Sequence, residues 1–324
     1  MVTMLLSGLV MGCIFAPLAL GVYISYRILR FADITVDGSF LLGGVVVAAL
    51  LKGGYGTVAG LLAAPLAGAL AGVVTGVLIT RFDIRRILAG ILVMTALYSV
   101  NQHILGVTDP RFFFSPEQSL RPVSDRVAVL LFGSLDAMEV LGGRFLPESV
   151  GAAILYGSVA IVLSGILLLF FHTRLGLAIR GAGGNETAVR AMGANVSLMI
   201  IFALAVSNAA AALTGGLFAL ELGSVEIGGG VGMIVTGLAS VMIGGALFGR
   251  QRFSLQLISA AAGSVLFSVL ISLITLNNRF SSDIKLYTAI FVVFALVLPR
   301  WLQRLRGGSG PGAVRAHAGA EKEE

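Results

Sequence analysis

Residues Arg174–Asn195 read RLGLAIRGAGGNETAVRAMGAN, an Arg- and Gly-rich polar island between two long apolar runs. Those runs, Ser149–Phe171 and Val196–Leu220, are each long enough to cross a bilayer, because about 20 apolar residues suffice. The island is therefore a loop between two spans, and the rest of the chain is arranged around it. Within it, Asn185 is placed to cap a short helix running from Glu186 to Met192. Its side-chain oxygen can accept from N–H groups of the first turn, and Glu186 complements the helix dipole. Gly193 stops the helix, and Arg190 sits in the last turn, where a cation is favoured. Two readings follow: an ordinary inter-helix loop, or a helix that docks a partner outside the bilayer.

Composition favours a polytopic all-α membrane bundle. Of 324 residues, 57% are hydrophobic, only 12% are charged and 43 are glycine. This is far from a soluble domain and typical of helices buried in lipid. A single cysteine, Cys13, excludes an intrachain disulfide and leaves too few thiols for a zinc cluster. The N-terminus has no charged leader or cleavage site, so Val2–Tyr26 reads as a retained first span.

Taken in order, the second apolar run, Phe40–Leu51, is too short to cross unless it recruits Asp33–Ser39. That draws two carboxylates towards membrane depth, where they persist only against protein or a polar cavity. The competing reading is a turn in which Asp37 or Ser39 caps a helix. Gly56–Thr80 is a third span with small-xxx-small packing spacings at Gly68, Gly72 and Gly76. Ile87–Val107 is the fourth, with Ser99, Asn101, Gln102 and His103 clustered near one end; the alternatives are a pathway residue at Asn101 or a wetted interfacial patch. Thr108–Glu148 is the longest polar segment. It is expected to carry a short surface helix over Val127–Leu141, with Phe112–Phe114 as an interfacial anchor. The sixth span carries Ser207, Asn208 and Thr214, and Glu221 and Glu226 follow it. The seventh segment, Gly223–Phe248, opens on Gly228, Gly229 and Gly230. Glycine this dense either breaks the helix, freeing backbone groups to meet a solute, or serves close packing. Phe253–Leu276 and Ile284–Leu298 complete nine spans, and residues 307–324 form a tail rich in Gly, Ala and charge that is expected to be disordered.

With the N-terminus outside and the C-terminus inside, 15 of the 22 basic residues fall on the inner side, as the positive-inside rule requires. The polar island then faces the cytoplasm and residues 108–148 face outward. Catalytic and energy-transducing motifs are missing. The three histidines are scattered, no H-E-x-x-H or G-x-S-x-G occurs, and no lysine lies in a phosphate-cradling G-x-x-x-x-G-K-[ST] loop. The clear spans hold no Asp, Glu, Lys or Arg, which argues against a proton-coupled carrier. A non-enzymatic pore or carrier remains, moved by another subunit or self-contained.

Three stretches carry a resemblance: FADITVDGSFLLGG at Phe31–Gly44, the island itself, and GGGVGMIVTGLASVMIGGALFG at Gly228–Gly249. In this order they resemble the membrane permease subunit of bacterial ABC importers, in the family of branched-chain amino acid and ribose permeases. Within it, the chain is most similar to a branch associated with amino-acid uptake, including aromatic amino acids. The resemblance implies a transmembrane permease over residues 1–306, multi-pass in the bacterial plasma membrane and free of cofactors of its own. ATP would be bound by two cytoplasmic ATPase subunits. A second permease chain, as a homodimer or a pair of similar chains, and an extracytoplasmic solute-binding protein would complete the assembly. Gly183–Asn195 would be the coupling helix, with Arg180, Asn185, Glu186, Ala188, Val189, Arg190, Met192 and Gly193 as the residues facing or shaping the ATPase contact. Asp33, Thr35, Asp37, Ser39, Asn101, Asn208, Glu221 and Gly229 are the candidates for the substrate path.

Overall fold

A computed structural model describes residues 2–106, 111–114, 145–248 and 252–274, together with 290 and 293. Among them, eight helices are long and apolar enough to cross a membrane. The ninth expected span at Ile284–Leu298, the surface helix expected at Val127–Leu141 and the tail lie outside the described residues or nearly so.

The first span, α1 (Val2–Val22), continues as a π-helical turn over Tyr23–Ile28. The chain then reverses, and α2 (Thr35–Lys52) starts only after Asp33. Its first residue lies beside Thr75 of α3 (Thr57–Thr80), several residues before the end of that helix, so α2 begins part-way up the bundle. Of the two readings open for the short apolar run, the structure shows the one in which it recruits the acidic segment into the bundle. The helix is capped by Ile34, which offers no side-chain acceptor, and not by Asp37 or Ser39. After α3 come α4 (Arg86–Leu105), a short strand β1 (Arg111–Phe113) and the long helix α5 (Phe145–His172). The polar island folds as two helices, α6 (Arg174–Gly184) and α7 (Glu186–Ala191). Next are α8 (Val196–Leu222), a second strand β2 (Ser224–Glu226), a 3-10 turn at Ile227–Gly230, α9 (Met233–Phe248) and α10 (Phe253–Ile274).

Helix α8 is the centre of the bundle, packed chiefly on α3 and α2, while α10 packs on α1 and α9. Lipid offers little hydrophobic drive between helices, so the contacts rely on small residues that let backbones touch. A Cβ at Gly43 would overlap the Ala212 carbonyl, and one at Gly215 would overlap the Phe40 carbonyl; Gly68 and Gly72 meet the Asn208 and Leu204 carbonyls in the same way. The small-xxx-small pattern read on the third span is thus a helix-packing seam against α8. Ser207 and Ser264 add cross-helix hydrogen bonds to the carbonyls of Gly21 and Gly12, at 2.7 and 2.9 Å.

The strand pair was not anticipated. β1 runs antiparallel to β2, with Arg111 opposite Glu226 and Phe113 opposite Ser224. Of the expected aromatic anchor, Phe113 is exposed, whereas Phe114 is buried against the bundle.

Candidate functional site

The sequence candidates fall at three levels of α8, a helix of 27 residues, or about 40 Å at 1.5 Å per residue: a cavity near its far end, a buried network around Asn208 at its middle, and the polar island at its start.

At the end remote from the polar island, a cavity of about 790 Å³ lies between the start of α1, the broken segment before α9 and the end of α10. Its apolar lining includes Met11, Phe15, Met233 and Phe267, and Ser268 and Thr236 add hydroxyls. The backbone of Gly228, Gly229 and Gly232 forms one wall. The glycine triplet does break the helix: a 3-10 turn replaces its first turn, and Gly232 adopts a φ of 90°, a conformation that excludes most side chains. The size falls in the range of small-molecule sites, which are mostly apolar with a few placed polar groups.

Of the eight path candidates, Gly229 lines this cavity. The others stand behind it or apart from it. Asp37, on the first turn of α2, accepts hydrogen bonds from the backbone N–H groups of Gly232 at 2.9 Å and Ile234 at 2.6 Å. It thereby caps α9 from a neighbouring helix, where a carboxylate also complements the positive end of the dipole. Asp33, Ser39 and Asn208 form one buried network. The Asn208 amide donates to Asp33 Oδ2 at 2.7 Å, and Ser39 Oγ donates to Asn208 Oδ1 at 2.8 Å. Asp33 also accepts from the Thr35 N–H, while the Thr35 and Thr75 hydroxyls lie 2.9 Å apart. With every member hydrogen-bonded, such a network fixes the register of α2 against α8 and α3. Asn101 is fully buried, and its amide donates to the Gly38 carbonyl at 3.4 Å; its Oδ1 has no partner among the described residues. Glu221 accepts from the Tyr156 hydroxyl at 2.7 Å and so ties α8 to α5.

At the other end, the expected cap is present. Asn185 is extended, and its Oδ1 accepts from the Ala188 N–H at 3.0 Å. The helix ends at Ala191, with Met192 as C-cap and Gly193 at a φ of 77°. Val189, expected on the docking face, is instead buried and packs beside Gly181 of α6, anchoring α7 to its own bundle. Ala188 and Met192 stay exposed, Met192 at 76%. The first half of the island, read as loop, is helical because Thr173 caps it through the Gly176 N–H and Gly176, Ile179 and Ala182 form one buried face. Gly183 lies directly on the Ile28 carbonyl of the π-helical turn. The Arg180 guanidinium stacks 3.8 Å from the centre of the Phe253 ring at the start of α10, and Glu186 is ion-paired with Arg86. Neither Phe253 nor Arg86 is marked by local sequence, since their partners lie 73 and 100 residues away.

Comparison with known proteins adds the following. A family model described as "Branched-chain amino acid transport system / permease component" matches residues 4–299. A tyrosine transport system permease protein of Clostridioides difficile is 33% identical over 290 residues, 89% of each chain. A probable ABC transporter permease protein of Escherichia coli K12, YphD, is 30% identical over 166 residues, 50% of this chain and 48% of its own. The ribose import permease protein RbsC of the same strain is 35% identical over 77 residues, 24% of each chain. No solved structure matches this chain.

Proposed function

The chain belongs to the permease components of branched-chain amino acid transport systems, and from that premise we propose that its cavity and island form the two working ends of an amino-acid importer. It is a membrane-embedded ABC permease subunit, multi-pass in the inner membrane, and acts with ATPase and binding-protein subunits. The finer assignment is ours. Two copies enclose the path, α7 docks in a groove of the ATPase that holds the nucleotide, and the cavity beside Gly229 receives the solute. Met11, Phe15, Met233 and Phe267 suit a large apolar or aromatic side chain, consistent with the tyrosine in the name of a relative.

The observation that carries this reading is α7. A helix of six residues has little stability of its own. Here it is capped at both ends and pinned by Val189, while Ala188 and Met192 are left uncovered. Vesicles containing the permease with its ATPase and binding protein are expected to take up L-tyrosine, or another amino acid from a panel of the twenty, only with ATP inside the complex's nucleotide-facing compartment. Uptake by the permease alone would favour a self-contained carrier.

We read the N-terminus as outside and α7 as cytoplasmic, on the support of the arginine distribution. In a Cys13→Ser background, an impermeant maleimide added to intact cells should label Tyr55→Cys, in the exposed turn between α2 and α3, and should spare Thr187→Cys on α7. The reverse pattern would sink this orientation.

A further inference from the structure

The ion pair between Glu186, the first residue of α7, and Arg86, the first residue of α4, joins segments 100 residues apart in the chain. Both side chains are more than a third exposed, so the pair contributes little to stability, typically under about 1 kcal/mol. Its place in the bundle is more informative. Through the chain, α7 is continuous only with α6 and α8. Through Arg86 it also reaches α4, and the same guanidinium lies 5.1 Å from the centre of the Phe31 ring, in the segment that leads into α2.

Helix α4 packs mainly on α2, where Met94 and Leu97 close over Gly38 and Asn101 reaches the Gly38 carbonyl. Beside Gly38 stands Asp37, which holds the Gly232 and Ile234 N–H groups at the cavity wall. A contiguous set of contacts therefore runs from α7 through Arg86 and α4 to α2, and from there to the glycine break. Both partners of the ion pair also line an open pocket of about 450 Å³, together with Thr80, Asp83, Arg85 and Arg190 among others.

We propose that Arg86 is a positioning residue of the transport cycle: it ties the docking helix to α4 and Phe31, so that movement of α7 reaches α2 and the cavity wall. This rests on the reading of α7 as the ATPase-docking helix. Contiguity alone is not evidence of coupling, so the test must read the far end of the path.

The assembled permease–ATPase complex, carrying Cys13→Ser and a single Val231→Cys at the cavity wall, is labelled with maleimide with and without ATP. Val231 is exposed in the cavity lining, and this readout needs no knowledge of the solute. ATP is expected to change the labelling rate. Arg86→Gln should still co-purify with the ATPase and hydrolyse ATP at the basal rate, yet the ATP-dependent change should fall about tenfold, within the range known for coupling residues away from either ligand. Arg86→Lys should keep most of the response. Arg86→Glu should lose it.

A wild-type response in Arg86→Gln or in Arg86→Glu overturns the proposal. So does an ATP-insensitive Val231 in the unaltered complex. Loss of the ATPase itself from Arg86→Gln would assign the residue to docking and not to transmission, which also overturns it. Failure of the docking reading registers separately, as continued ATPase binding when the exposed face of α7 is altered.

Discussion

Ala188→Arg and Met192→Glu are each expected to leave the permease inserted and folded but to abolish recovery of the ATPase and substrate-stimulated ATP hydrolysis. Both side chains are exposed, so their replacement should move stability by no more than about 0.5 kcal/mol, the usual span for surface changes. In a docked interface the same positions are desolvated. An unpaired charge buried there typically costs several kcal/mol, which is orders of magnitude in affinity. Asn185→Ala should be milder, because losing the cap costs about 1 kcal/mol and frays α7 without placing a charge in the contact. Affinity purification of tagged permease, followed by ATP hydrolysis measured with and without binding protein, gives the ranking. Two fully coupled variants at Ala188 and Met192 would remove α7 from the docking role.

The second large effect belongs to Asp37. Asp37→Ala leaves the Gly232 and Ile234 N–H groups without their acceptor, and a buried group stripped of its hydrogen bond costs about 1–3 kcal/mol. That is enough to release the start of α9 and with it the glycine wall of the cavity. Amino-acid uptake in vesicles is expected to fall by an order of magnitude or more, the loss appearing in the maximal rate, with assembly on the ATPase preserved. Asp37→Asn retains one carbonyl oxygen as acceptor and should fall between wild type and Ala. Because Asp37 holds the wall from behind, the order of preference among amino acids should not change. A changed preference with an unchanged maximal rate would mean that the carboxylate meets the solute directly. Wild-type uptake in both variants would remove it from the transport site altogether.

The features legible in the sequence are those governed by local chemistry. Asn185, Gly193 and the spacing between them carry their own cap and stop, so α7 could be read to within a residue. The second span was half legible: Phe40–Leu51 is too short to cross alone, which pointed to recruitment of Asp33–Ser39, but a turn capped by Asp37 or Ser39 stood equally open. The partners of those acids could not be read. Asp37 meets backbone N–H groups 195 and 197 residues away, and nothing local distinguishes a carboxylate that faces a solute from one that caps a distant helix. The same holds for Asp33 with Asn208 and for the strand pair of Arg111–Phe113 with Ser224–Glu226, which are set by the tertiary fold. Helix α6 was missed for another reason. Its glycines disfavour a helix by propensity, and packing of one small-residue face overrides that preference.

The glycines of this chain differ sharply in how much change they tolerate. Gly43, Gly68, Gly72 and Gly215, along the α2–α8–α3 seams, leave no space for even a methyl group, so an added atom there must displace a backbone. At Gly228 and Gly229 an added Cβ would meet nothing within 4 Å, although both line the cavity. A Cβ at either position would enter the chamber without a clash. Under the role proposed for the chamber, these two positions are where a substitution would alter its shape with the least disturbance of the helix seams.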